Sequence, residues 1–444
     1  MVKDADLRKH IIEYNMQRPN GYDITICHAP LRSIYFGFGG IVTTCCFNRN
    51  YVLGKYPENS LDEIIHGEKR KLLQQHLDRI DFSIGCKYCK DMIVAHNFMS
   101  VNARFTDNFP KQGDLPSKME FELDNTCNLK CEMCNAKFSS AHDNGRRTVA
   151  PYDNEDFINQ LKPFIPYLIE TKFLGGEPFM SDLYPKIWES IIELNPKCKI
   201  RMQSNGTILN DKIKSIIQRG NFQIGLSIDT LNPERYAKIR NGAKIEKTLE
   251  NLEFFNHICK KNGDYINISV CPMKENRFDI PELVKFCNDK DIFIYFNSVS
   301  TENFTISELS VQEIDELIDY YKKNNPKGYN YISIHNHIAL SNLIKSIECI
   351  KEQYEQNKIQ YEYMNELIPC TNKEIKESIL KNLSDSQKIK LDMNIFNLVP
   401  ENFFIKREDY LNIKNKVTIS DITNFINESQ DYKTKLLKKI FKTP

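Results

Sequence analysis

The sequence predicts an α/β fold built in three parts, and three observations predict it. Between Met119 and about residue 300, six apolar strand-like segments alternate with helical periods, the signature of parallel strands joined by right-handed crossovers, in a barrel or an open sheet. Residues 1–112 are irregular and rich in cysteine, whereas residues 301–444 read as mainly helical. FTDNFPKQGDLPSK (105–118), with two prolines, a glycine and few apolar residues, reads as the linker between the first two parts. The expected domains are therefore 1–112, 113–300 and 301–444.

The first part holds one clear helical stretch, Ser60–Leu77, whose Ser-Leu-Asp-Glu opening is an N-cap followed by an acidic first turn. The expected strands of the second part are Met119–Leu123, Thr171–Leu174, Lys199–Gln203, Gln223–Ile228, Ile266–Val270 and Ile292–Phe296. Helices are expected over Glu155–Ile169, Asp182–Leu194, Asp211–Gln218, Ile245–Lys260 and Ile280–Asn288, with Asn210 capping the third. In the last part the helical pattern breaks at 324–328 and near Pro369. The alternation in YNYISIHNHI (329–338) reads as a strand with His335 and His337 on one face, and the tail 433–444 as a docked amphipathic helix.

Composition narrows the functional classes. With 41% hydrophobic and 27% charged residues the 444-residue chain is not mainly disordered. A net charge of +1 offers no electrostatic argument for nucleic acid. No apolar run approaches the ~18–20 residues of a membrane span, and the N-terminus lacks the apolar core of a secretory signal. The expected compartment is the cytoplasm, where thiols stay reduced and spaced cysteines point to metal more than to disulfides. Eight of the fourteen cysteines fall before residue 135, in two sets.

One set is Cys127, Cys131 and Cys134, spaced C-x3-C-x2-C directly after the first expected strand. Three thiolates on one short loop can hold three irons of a four-iron cluster and leave the fourth open to a small molecule. Phe173-Leu-Gly175-Gly176-Glu177-Pro178 follows the second strand. On these two motifs residues 117–300 resemble the radical S-adenosylmethionine (SAM) superfamily. The resemblance implies a partial (β/α)6 barrel, a SAM-binding [4Fe-4S] cluster, reductive SAM cleavage to a 5′-deoxyadenosyl radical, and hydrogen abstraction from a substrate. It implies SAM contacts for Gly175, Gly176, Glu177 and Pro178, with Glu177 facing the methionine ammonium. Met133 stands where relatives have an aromatic residue near the adenine. Ser204 and Asn205 occupy a Thr-Asn-Gly-like position; Ser227 and Asp229, two apart at a strand end, would reach the ribose or carboxylate.

The other set is Cys27 and Cys45 around a glycine-rich segment, followed by Cys86-x2-Cys89. Two pairs brought together make a four-thiolate site for zinc or iron–sulfur. The spacing resembles the twitch/SPASM type of auxiliary [4Fe-4S] domain, here preceding the barrel, with Cys46 left outside the set. In the fifth strand Asn267, Ser269 and Cys271 alternate with apolar residues and would line the interior, which makes Cys271 a candidate hydrogen-atom donor. The expected function is oxidation, cross-linking or epimerisation of a peptide or protein. The alternatives are a carbohydrate- or aminoglycoside-type dehydrogenase or epimerase, and a non-catalytic iron–sulfur or zinc scaffold. The resemblance further implies an electron donor such as flavodoxin or ferredoxin and a peptide or small-molecule substrate.

Overall fold

The computed structural model describes residues 4–18, 23, 25–149, 151–299, 301, 304–382 and 402–406. Its N-terminal part comprises α1 (Asp4–Met16), α2 (Ala29–Arg32), β1 (Ser33–Phe36), β2 (Ile41–Thr43), β3 (Gly54–Lys55), α3 (Leu61–His66), α4 (Glu68–Asp78) and α5 (Lys87–Val94). Strand and helix then alternate through β4 (Lys118–Phe121), α6 (Glu155–Leu161), β5 (Glu170–Phe173), α7 (Tyr184–Leu194), β6 (Lys199–Ser204), α8 (Asp211–Arg219) and β7 (Phe222–Ser227). There follow α9 (Pro233–Ile239), α10 (Ile245–Lys261), β8 (Asn267–Val270), α11 (Ile280–Asp289), β9 (Phe293–Phe296), α12 (Val311–Asn324) and α13 (Tyr331–Glu366). Last come β10 (Leu367–Thr371), α14 (Asn372–Asn382) and β11 (Asn402–Lys406). The chain divides into two compact units, Val2–Glu348 and a smaller one over Cys349–Pro444.

All six expected strands form, as β4 to β9, each parallel to the next. Their apolar side chains face the helices, and Lys118, Glu120, Gln203, Ser227, Asn267 and Ser269 alternate with them toward the interior. The helices start where local chemistry satisfies their free N–H groups. Asn154, Asn210 and Asn232 cap α6, α8 and α9, and Ser60–Glu63 and Ser310–Glu313 form capping boxes on α3 and α12. The expected helices over Ser60–Leu77 and Glu155–Ile169 are each interrupted. Gly67 separates α3 from α4, and α6 gives way to a 3-10 turn at Ile165–Tyr167, which follows Pro163 and contains Pro166.

The N-terminal part is not tethered by a free linker. β1 pairs with β4 in parallel and with β2 antiparallel, so one nine-stranded sheet runs β3-β2-β1-β4-β5-β6-β7-β8-β9. The register aligns Phe36, Phe121 and Phe173 across three strands. Their buried rings stack at 5.2 and 4.9 Å, and Trp188 packs edge-on against the last. Each such pair contributes about 0.5–1.5 kcal/mol beyond area burial. In the expected linker, buried Asp107 accepts from Arg18 at 2.6 and 2.8 Å.

One expectation beyond residue 300 is corrected. Residues 331–338 begin helix α13 rather than a strand, because Ile332, Asn336 and Leu340, four apart, form its buried face. The edge of β9 is already occupied: Asn336 accepts from the Ile294 N–H at 3.0 Å and donates to the Ile292 carbonyl at 2.8 Å. His335 and His337 therefore share no strand face; His335 packs against Phe293 and Tyr295. The expected break near Pro369 is present: β10, paired antiparallel with β11, separates α13 from α14. The expected tail helix 433–444 lies outside the described residues. Among the described residues no helix is long and apolar enough to cross a membrane.

Candidate active site and cluster sites

The loop after β4 carries Cys127, Cys131 and Cys134, and it is held from three sides. Gly175 and Gly176, after β5, lie against its backbone. A Cβ on Gly175, at φ +120°, would stand 2.2 Å from the Asp124 carbonyl, and one on Gly176 2.3 Å from that of Thr126. In that space the Gly176 and Glu177 N–H groups donate to the Asp124 and Thr126 carbonyls at 2.9 and 2.8 Å. The close approach these glycines permit is thus to the cysteine loop itself. On the far side, Lys130 and Glu132 N–H groups donate to the Asn241 and Ile239 carbonyls at 2.9 Å each, at the end of α9. Thr301 donates to the Met133 carbonyl at 3.0 Å.

Glu177 is buried, and three donors engage its carboxylate. Ser204 Oγ and the Phe179 N–H reach Oε1 at 2.8 and 3.1 Å, and the Asn205 N–H reaches Oε2 at 2.7 Å. Burial pushes this carboxyl up to about 7, against the pull of those donors and of Arg240. Oε2 keeps a lone pair for one further donor, and Pro178 opens the next 3-10 turn. Asn205 donates from Nδ2 to Asn128 Oδ1 at 2.9 Å and lies 4.0 Å from Cys127 Sγ.

Asp229 is fully buried in an ion pair. Its Oδ2 lies 2.7 Å from Arg240 Nε, close but poorly aligned as a hydrogen bond, and its Oδ1 accepts the Cys271 N–H at 2.8 Å. Arg240 then presents Nη1 to Cys131 Sγ at 3.9 Å. Burial opposes its charge, but Asp229, with Cys131, Tyr236 and Cys271 adding to it, outweighs this and holds Arg240 above the ordinary arginine range. Sequence reasoning missed Arg240, since nothing in Lys238-Ile-Arg-Asn marks it. The one available signal was Asn232-Pro233, an N-cap and first-turn proline announcing α9. Inside the barrel Gln203 donates to Ser227 Oγ at 3.0 Å and accepts from Ser269 Oγ at 3.1 Å, linking β6, β7 and β8. Cys271 is half-buried beside them, and burial, then Asp229, pushes its thiol up to about 12.

The second set converges as well. Cys27, Cys45, Cys86 and Cys89 line one cavity. Burial pushes Cys27 up to about 12 and Cys45 and Cys89 up to about 11; Cys86 also rises, through burial and then the nearby Cys27, Cys45 and Cys89. Backbone and amide donors reach the sulfurs: Ala29 N–H to Cys27 at 3.4 Å and Asn48 Nδ2 to Cys86 at 3.3 Å. Gly85, at φ +84°, has room only for hydrogen, since a Cβ would lie 1.9 Å from Asn48 Oδ1. Cys46 does not line this cavity; burial, then Glu120 and Cys45, push its thiol up to about 12.

Both donor sets fit iron–sulfur clusters. They consist of thiols alone, gathered where burial disfavours the free thiolate unless a metal takes up the charge. Among the described residues no three cysteine sulfurs lie within 4.8 Å of one another. Four thiolates on one zinc at about 2.3 Å would sit about 3.8 Å apart; thiolates bound to separate irons of a cluster stand wider.

Comparison with known proteins agrees with this arrangement. Residues 122–287 match the radical SAM superfamily and residues 27–90 an iron–sulfur cluster-binding domain of the SPASM type. The chain is similar to GTP 3′,8-cyclase of Clostridium botulinum, 22% identical over 325 residues, covering 67% of this chain and 95% of the relative. It is similar to a probable GTP 3′,8-cyclase of Methanocaldococcus jannaschii, 25% identical over 251 residues, covering 55% and 72%. Among solved structures, anSMEcpe with bound AdoMet aligns at TM-score 0.37 and 20% identity, covering 46% of this chain and 60% of that one. Streptococcus suis SuiB bound to S-adenosylmethionine aligns at TM-score 0.37 and 18% identity, covering 59% of each. Residues 122–287 are thus a radical SAM domain, and an iron–sulfur cluster-binding domain precedes it, the make-up of a radical SAM enzyme.

Proposed function

We propose that this protein oxidises, cross-links or epimerises a peptide or protein substrate bound in the barrel interior. When bound, the cluster at Cys127, Cys131 and Cys134 supplies the electron that splits SAM into methionine and a 5′-deoxyadenosyl radical able to take a substrate hydrogen. The chain's own residues position the partners. Gly175 and Gly176 seat the cysteine loop, Glu177 keeps one lone pair for the methionine ammonium, and Arg240 steadies Cys131. Met133, Ser204, Asn205 and Ser227 belong to the same rim, and Asp229 acts through Arg240 as a positioning residue.

The observation that carries the reading is the pairing of β1 with β4. It makes the strand leading into the Cys45 hairpin and the strand leading into the SAM-cluster loop neighbours in one sheet. An auxiliary cluster held in that way can accept an electron from a substrate radical, which favours oxidative chemistry. Cys271 suits return of a hydrogen atom, because a thiol pushed up to about 12 keeps its S–H.

The relatives' names offer a second reading, a nucleotide triphosphate as substrate. Interior charge pairing favours the peptide. Lys118–Glu120, Arg201–Glu170, Arg49–Glu122, Arg147–Asp124 and Arg240–Asp229 are each matched at 2.6–2.9 Å; Lys172 of β5, which lies beside Glu120 without such a pair, is a single cation where a triphosphate calls for several.

The test is anaerobic reconstitution with SAM and dithionite, in the presence of peptides encoded beside the gene, or of GTP. Wild type is expected to hold about eight irons, from two four-iron centres, and to form 5′-deoxyadenosine. Deuterium moving from a labelled peptide into that product would identify the substrate; transfer from GTP alone would overturn the peptide reading. Alanine at Cys127, Cys131 and Cys134 should abolish cleavage. Alanine at Cys86 and Cys89 should halve the iron, keep slow cleavage and lose turnover. One zinc and only four irons in wild type would instead make the auxiliary site a zinc site.

A further inference from the structure

Helix α1 and the end of α5 bring together three side chains that neither cluster uses. His10 and Glu13, three apart, share one face of α1. His96 follows α5, and its Nδ1 stands 3.1 Å from Glu13 Oε2. The two imidazoles meet edge to face at 4.5 Å between centroids. One donor atom from each of the three residues lies within 4.8 Å of the other two. His10 Nδ1 is buried with no hydrogen-bond partner, an uncommon state for a polar atom that a bound cation would relieve.

The backbone at His96 points the same way. Helix α5 ends in a Schellman motif: the His96 N–H donates to the Ile93 carbonyl at 3.1 Å and the Asn97 N–H to the Met92 carbonyl at 2.9 Å. The residue after the cap takes the left-handed conformation in this motif, and glycine is the usual occupant. Here it is His96, at φ +54°. A histidine there gives up conformational ease and gains a ring directed at Glu13 and His10.

We propose that His10, Glu13 and His96 form a site for one divalent transition-metal ion of the zinc type, separate from both clusters. Two imidazoles and a carboxylate suit zinc or its neighbours better than magnesium or calcium. Tetrahedral bonds of about 2.0–2.1 Å place donors about 3.3–3.5 Å apart, so the three groups need close only slightly on the ion. Water completes the fourth position, because His96 is half-exposed. The ion would fasten α1 to the far end of α5. Cys86 caps the N-terminus of that helix and Cys89 sits in its first turn, and α1 itself packs into the core that Cys27, Cys86 and Cys89 border. The site thus acts as a clasp over the auxiliary centre.

The experiment uses the full chain with both clusters loaded anaerobically, so that the cysteines are occupied. Zinc is titrated against a chelating dye, with zinc and iron measured after desalting. One zinc per chain is expected, with iron unchanged and a higher melting temperature. His96→Gly keeps a residue suited to the left-handed position and removes only the ligand; it should stay folded and weaken zinc binding at least tenfold. Glu13→Gln should do the same and serves if the glycine variant fails to fold. No zinc bound by cluster-loaded wild type, zinc uptake only with loss of iron, or unchanged affinity in a folded variant would each overturn the site.

Discussion

At the scale of single residues, two buried charges make the sharpest predictions. Glu177 has an ordinary carboxyl value near 4.5 when unfolded and about 7 when folded. Between those values the folded state holds the extra proton, so stability is greatest below about 4.5 and falls as pH rises through about 7. At about 1.4 kcal/mol per unit, the span amounts to at most roughly 3 kcal/mol. Urea unfolding of the cluster-free, reduced chain from pH 5 to 8 should show that decline, and Glu177→Gln should flatten it. A wild-type slope equal to the variant's would show that Glu177 is not the group involved. Arg240 and Asp229 form the second case. Arg240→Met leaves a buried carboxylate alone and should cost about 3–5 kcal/mol, while adding Asp229→Asn should recover most of it. If the double variant is as unstable as the single one, the pairing is not what Arg240 supplies.

At the scale of elements, the sequence was legible where a local pattern decides. The six barrel strands and most of their helices form within a few residues of expectation, because alternation, period and caps are properties of adjacent residues; α6, which stops at Leu161, and the unexpected α9 are the exceptions. The C-x3-C-x2-C spacing after β4 and the Cys86-x2-Cys89 pair were legible for the same reason, whereas the meeting of Cys27 and Cys45 with that pair in one cavity is not a local property. What failed was whatever a partner decides. Residues 329–338 alternate like a strand, yet Asn336 serves the β9 edge only from a helix. The placement of β1 beside β4 left no local mark, and Arg240 reaches Cys131 across 109 positions. Glu177 and Asp229 were recognised as important, but their hydrogen-bonding and ion-pair partners were not readable from their own segments. The aromatic ladder is the element-scale test of the shared sheet. Phe121 is its middle member, so Phe121→Ala should cost about 3–5 kcal/mol and loosen the auxiliary part as well as the barrel. Hydrogen exchange at β1 and β2 reads this directly. Protection unchanged there, with stability lost only in β5 and α7, would separate the two parts.

At the scale of the whole molecule, both lateral faces of the barrel sheet are closed, by β1 on β4 and by Asn336 of α13 on β9. Residues 1–112 expressed alone would bare the β1 edge, and an unpaired edge strand is a template for self-association. That fragment should be insoluble or oligomeric on size-exclusion chromatography, whereas 1–348, which keeps both β4 and Asn336, should be monomeric. A well-behaved monomeric fragment would show that the N-terminal part does not depend on β4.

The β1–β4 pairing also has a consequence in time. The ribosome releases β1 roughly 85 residues before the strand it must join. A contact that distant is slow to close and cannot form until β4 has emerged. The auxiliary thiols are therefore synthesised first but receive their final scaffold later, together with the SAM-cluster loop that directly follows β4. Iron loading of the N-terminal site is in this way tied to completion of the barrel's first strand, and a chain stalled before residue 118 would carry Cys27, Cys45, Cys86 and Cys89 with no finished place for a cluster.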